Sequence, residues 1–153
     1  MALSTLEKVL FLRGVELFGE MDAEELVPLA RLAQDVAFPA GEHFIVQGEV
    51  GDSLYIIVEG EVSIVLDGVG ELMRRGPKSV IGEMAIISHS PRTAHCFAHT
   101  DITALKVTYD DFWELMDEQP KLARATIQVL TRRFEDALEN LRRYRGDPRE
   151  NPT

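Results

Sequence analysis

Ile81-Gly82-Glu83-Met84-Ala85-Ile86-Ile87-Ser88-His89-Ser90-Pro91-Arg92-Thr93-Ala94 sets a glycine turn, a carboxylate and an arginine within one short segment. Gly82 can take backbone angles closed to other residues, so the chain can leave a strand sharply and enter a short helical turn. The leading amides of that turn, at Glu83, Met84 and Ala85, lack intrahelical acceptors, and with the local dipole they favour an anion, phosphate above all. Arg92 adds formal charge in a planar fork that can donate to two phosphate oxygens at once, and Pro91 stiffens its approach. Glu83 would repel a phosphate, so it needs a hydroxyl donor to face. A ribose hydroxyl meets that need, and the stretch reads as a sugar-phosphate site.

Upstream, Phe44-Ile45-Val46-Gln47-Gly48-Glu49-Val50-Gly51-Asp52-Ser53-Leu54-Tyr55-Ile56-Ile57-Val58-Glu59-Gly60-Glu61-Val62 has glycines 48, 51 and 60 at turn positions around two apolar runs. Leu54 to Val58 is short, unbroken and rich in β-branched and aromatic residues, the pattern of a buried strand.

Together these two segments resemble the cyclic nucleotide-binding domain family. The first is similar to its phosphate-binding cassette: Gly-Glu, apolar or small residues, a variable stretch, then Pro-Arg, a small residue and Ala. The second is similar to the family's first β-roll signature. The resemblance implies that Glu83 accepts the ribose 2′-hydroxyl, that Arg92 pairs with the cyclic phosphate, and that the backbone at Met84 and Ala85 holds that phosphate, with Ile81, Gly82 and Thr93 completing the site. It also implies a mobile final helix that closes over the purine, with Arg133 nearest by spacing to the lid arginine of the ion-channel members. Helical spacing by itself puts Arg133 on a solvated face. Thr93 has a hydroxyl that can reach the phosphate and, in the family's syn guanine complexes, the purine amino group, so either cyclic AMP or cyclic GMP is an acceptable ligand. The sequence departs from the family at Gly76-Pro77-Lys78-Ser79-Val80, where a glycine and an acidic residue usually occupy the places of Lys78 and Ser79.

The predicted architecture is α+β and mainly β: an antiparallel, jelly-roll-like β-roll flanked by N-terminal helices and two C-terminal helices. One domain is expected over 1–153, with N-terminal helices in 1–35, the roll in 36–108 carrying the cassette at 81–94, C-terminal helices in 109–146 and a disordered tail at 147–153. Asp22 and Glu25 form an acidic capping box before Leu26, Leu29, Ala30 and Ala33. Pro39-Ala40-Gly41-Glu42, Asp67-Gly68 and Gly76-Pro77 punctuate short apolar runs. After Tyr109 the period becomes helical: Phe112, Trp113, Leu115 and Met116 stop before Pro120, and Leu122, Ala125, Val129, Ala137, Leu138 and Leu141 follow.

With 153 residues, 45% hydrophobic and 27% charged, the chain suits one core-bearing globular domain. The single cysteine, Cys96, lies in a strand-like run and is expected to be a small core residue. No bilayer-length apolar run or signal-peptide plan occurs, so a cytoplasmic protein without membrane insertion is expected. Net charge is −10, yet residues 121–153 hold eight basic against five acidic side chains. An acidic body argues against direct nucleic-acid binding, and no helix-turn-helix is expected after the last helix.

No metal site is predicted, because His95 and His99 would lie about 13 Å apart on one strand and His43 and His89 stand alone. Gly76-Pro77-Lys78-Ser79 fails the nucleoside-triphosphate loop pattern, and no nucleophile has an adjacent base. The expected role is therefore non-enzymatic: a regulatory module, without cofactor, that binds cyclic AMP or cyclic GMP and transmits binding through its C-terminal helices. Its partners would be the nucleotide and either a second copy or a larger effector. The alternative is an interaction or oligomerisation scaffold with an empty pocket.

Overall fold

The computed structural model describes residues 2–85 and 89–145. Two helices open the chain. Ser4 and Glu7 reciprocally satisfy each other's backbone amides at 3.0 and 3.1 Å, starting α1 (Thr5–Leu12). The same device starts α2 (Ala23–Leu32), where the Asp22 amide donates to Glu25 Oε1 at 2.9 Å. A 3-10 turn, Glu16–Phe18, lies between them. Each box satisfies end amides that the helix itself leaves unpaired.

Eight strands follow among the described residues: β1 (Gln34–Phe38), β2 (His43–Ile45), β3 (Ser53–Glu59), β4 (Val62–Leu66), β5 (Gly70–Arg75), β6 (Val80–Ile81), β7 (His95–Ala98) and β8 (Ile102–Thr108). They form two four-stranded antiparallel sheets, ordered β1-β8-β3-β6 and β2-β7-β4-β5. The chain is thus the expected α+β, mainly β roll with helices at both ends. The strands run from Gln34 to Thr108, two residues earlier at the start than the sequence indicated.

The central strands of the first sheet, β3 and β8, are buried on both faces. In β3, Leu54 and Ile56 join a core with α1, α2, α3 (Tyr109–Glu118) and the start of α4 (Pro120–Arg145), whereas Tyr55 and Ile57 face the roll interior. β8 repeats the division, with Leu105 and Val107 on the helical side and Ile102 and Ala104 inside the roll. Two-sided burial explains why Leu54 to Val58 is unbroken apolar rather than alternating. Beneath the helices, buried Lys8 donates to the Ala33 carbonyl at 2.7 Å and pairs with Asp35 at 3.0 Å, so its charge is not left uncompensated.

The 26-residue α4 is held mainly along its first half. Leu122 and Ala125 are buried, Lys121 pairs with Glu25 at 3.2 Å, and Arg132 pairs with Glu16 of the 3-10 turn. Farther on, Phe134, Leu138, Leu141 and Tyr144 are exposed. The tail expected at 147–153 lies outside the described residues. Among those residues, no helix is long and apolar enough to cross a membrane.

At the β3–β4 turn, Gly60 has φ +98°, and a Cβ there would collide with the Asp101 carbonyl and stand 3.0 Å from the Thr100 hydroxyl. Gly60→Ala should therefore lower unfolding free energy by about 2 kcal/mol, read as an earlier urea midpoint with an unchanged m-value.

Candidate functional site

Gly82 ends β6 at φ +89°, and the chain turns into a 3-10 segment, Glu83–Ala85. Ten residues on, the Arg92 guanidinium returns beneath that turn. Its Nη1 donates to the Tyr109 hydroxyl at 2.5 Å and the Gly82 carbonyl at 3.4 Å, and its Nη2 to the Ser53 carbonyl at 2.8 Å. The Tyr109 hydroxyl donates in turn to the Gly82 carbonyl at 2.6 Å. Burial raises the Tyr109 phenol above its ordinary pKa, despite the Arg92 charge beside it, so the proton it donates stays in place at neutral pH.

Main-chain bonds also fix the height of the arginine. The Arg92 amide donates to the Glu49 carbonyl at 2.8 Å and the Gly48 amide to the Arg92 carbonyl at 2.9 Å, tying the cassette to the turn before β3. The guanidinium lies in a slot between two glycines. A Cβ on Gly51 would overlap Nε and Nη2, and one on Gly82 would stand 2.8 Å from Nη1. Only 9% of Arg92 is exposed, and it forms no ion pair among the described residues. Carbonyl dipoles and a phenol hold the charge without neutralising it.

Arg92 lines a cavity of about 400 Å³, a size suited to a small organic ligand. Ile81, Gly82, Glu83, Met84 and Thr93 share that wall with it, so six of the seven cassette residues singled out from the sequence come together. Ile81 is buried in β6, Met84 is largely exposed and Thr93 is exposed at the rim. Ala85 ends the 3-10 turn, and its side chain lies outside the described residues.

Arg133 also lines the cavity, and here the structure departs from a solvated helix face. It is half-buried, ion-paired to the nearly inaccessible Glu83 carboxylate, and donates to the Val80 carbonyl at 3.3 Å. Burial, with the nearby Arg75 charge, draws the Arg133 pKa down to about 10, leaving it cationic at neutral pH. Glu83 is thus occupied by a cation from α4.

The opposite wall escaped sequence reasoning. Ile64, Leu66, Leu72 and Met73 of the β4–β5 hairpin give the cavity an apolar lining, which Cys96 of β7 joins. Leu72 and Met73 interrupt an otherwise polar and solvated strand, the one signal that could have exposed them. His43 begins β2, and its ring meets His95 edge-on at 6.2 Å, so it is a strand residue with an aromatic neighbour rather than a lone turn histidine.

A model of the cyclic nucleotide-binding domain matches residues 35–119. The chain is 29% identical over 140 residues to a CRP-like cAMP-activated global transcriptional regulator of Mycobacterium tuberculosis, covering 89% of this chain and 62% of that protein. It is 36% identical over 110 residues to a cyclic nucleotide-gated potassium channel of Mesorhizobium japonicum, covering 72% of this chain and 30% of the channel. The catabolite activator protein of Thermus thermophilus superposes with a TM-score of 0.76 at 27% identity, over 82% of this chain and 61% of that one. The chain therefore spans less than two thirds of these relatives.

Burial raises the Cys96 thiol to a pKa of about 11. At pH 8 its thiolate fraction is then about one in a thousand, and native protein should resist iodoacetamide for hours while urea-unfolded protein is alkylated at an ordinary thiol rate, as mass spectrometry would record.

Proposed function

The chain belongs to the cyclic nucleotide-binding domain family, and we propose that it is a non-catalytic sensor that binds cyclic AMP or cyclic GMP at the cassette and passes binding to its C-terminal helices. The observation that carries this reading is Arg92, a buried guanidinium fixed by neutral partners on the wall of a ligand-sized cavity. A cyclic phosphate supplies the charge that the slot does not, and the apolar β4–β5 wall suits a purine face. Thr93 at the rim offers a hydroxyl to phosphate or base, consistent with tolerance of either purine.

Glu83 supplies the link to movement. To accept a ribose hydroxyl, its carboxylate must share or surrender the bond to Arg133, and Arg133 is carried by α4. Nucleotide and Arg133 thus compete for one carboxylate, which gives the ligand the differential interaction needed to bias two helix positions. Trp113 on α3, the single tryptophan, is a native reporter of that shift.

Titration calorimetry with each cyclic nucleotide, repeated on Arg92→Ala, tests the reading. Wild type should bind at least one of them, with a change in Trp113 emission, and Arg92→Ala should lose about 3 kcal/mol, or roughly 150-fold in Kd. Equal affinity in the variant would place the phosphate elsewhere, and no heat at millimolar ligand would remove the function.

A second reading, pairing of copies through α4, is favoured by the exposed Phe134, Leu138, Leu141 and Tyr144. Ile127, Phe134 and Leu141 recur every seven residues, the spacing of a helix–helix seam. Analytical ultracentrifugation should find a dimer that Phe134→Glu converts to monomer. A wild-type monomer at about 100 μM would sink this reading, since a useful interface binds more tightly than that.

A further inference from the structure

Behind the nucleotide cavity lies a second one of about 140 Å³, bounded by the Glu16–Phe18 turn, the loop entering β6, and α4. The two share Arg75, Val80, Glu83 and Arg133 as a common wall. Its volume equals that of roughly four or five waters, enough for one phosphate-sized ion and too small for a nucleoside.

The charges around it do not balance. Glu16 is paired with Arg132 and Glu83 with Arg133, so both acids on the lining are engaged. Half-buried Arg75 and solvent-exposed Lys78 also border the cavity, and neither forms an ion pair among the described residues. Ser79 adds a hydroxyl beside them. Burial is the main cause of the lowered Arg133 pKa, and the nearby Arg75 charge adds to it, so the two cations repel.

Lys78 is also held in an unusual backbone. In the turn Gly76-Pro77-Lys78-Ser79, closed by the Ser79 amide to the Gly76 carbonyl at 3.3 Å, Lys78 has φ 71°. A glycine is favoured at such a third turn position, and a lysine there carries strain. Its ammonium lies near Gly14, where a Cβ would stand 3.1 Å from Nζ. The long side chain thus reaches back over the helix–turn connection bordering the cavity.

We propose that this second cavity is an oxyanion site, taking a phosphate-sized anion between Lys78, Arg75 and the Ser79 hydroxyl. The ion would neutralise the two unpaired cations and relieve the repulsion between Arg75 and Arg133. This site is separate from the cassette, because neither Lys78 nor Ser79 lines the nucleotide cavity, and Arg92 does not line the second one.

The test is titration of the intact chain with inorganic phosphate, up to about 50 mM at constant ionic strength. Lys78→Gly removes the ammonium while a glycine accepts the turn's positive φ freely, so the variant keeps the fold. Phosphate binding should weaken about tenfold in Lys78→Gly, the loss of a charge-assisted contact, and persist in Arg92→Ala. Absence of phosphate binding to wild type would overturn the proposal, as would equal binding to Lys78→Gly or its loss only in Arg92→Ala. Cyclic AMP and cyclic GMP titrations of Lys78→Gly in phosphate-free buffer should match wild type, so a failed oxyanion site and a failed cassette give different results.

Discussion

A guanidinium buried without a carboxylate is the constraint around which this molecule is arranged. Arg92 would be costly beneath the surface unless each contact served it, and the contacts come from far apart in the chain: the Ser53 carbonyl, the Gly82 carbonyl and the Tyr109 hydroxyl. Tyr109 opens α3, so the first C-terminal helix is tied to the arginine directly. Gly51 and Gly82 supply the space, because a Cβ on either would enter the guanidinium's volume. These partners bring β3, β6, the cassette and α3 to one point, with a positive charge that protein atoms solvate and do not cancel.

Around that point the carboxylate has the opposite circumstance. Glu83 is satisfied within the protein by Arg133, and the guanidinium comes from a helix whose far end has few neighbours. The two charged residues of one short segment therefore differ in kind: Arg92 is closely held and forms no ion pair among the described residues, whereas Glu83 already has a partner on α4. The same wall borders the smaller basic cavity, which places Arg75 and Arg133 between two possible occupants.

Much of this was legible locally. The unbroken run Leu54 to Val58 announced a strand because it is covered on both sides, by helices and by the roll interior. The box at Asp22–Glu25 is satisfied within four residues, so its outcome hardly depends on the fold. The cassette was legible because its glycine, carboxylate and arginine are close in sequence as well as in space. Leu72 and Met73 were obscure because their strand is otherwise polar and its face matters only once β4 pairs beside it. Gly51 looked like turn punctuation until Arg92 was seen to fill the space its missing side chain leaves.

By itself the sequence determined the order of elements, the mixed mainly-β class and the residues of the cassette, since these rest on periodicity, capping and spacing over short stretches. Tertiary structure decided the partners. Helical spacing could place Arg133 only on a face of α4, and fifty residues separate it from Glu83, so their pairing exists only where α4 crosses the roll. The balance of charge at Arg92 and around Lys78 is likewise a property of packed neighbours, because Coulomb attraction and desolvation act through space and ignore the distance along the chain.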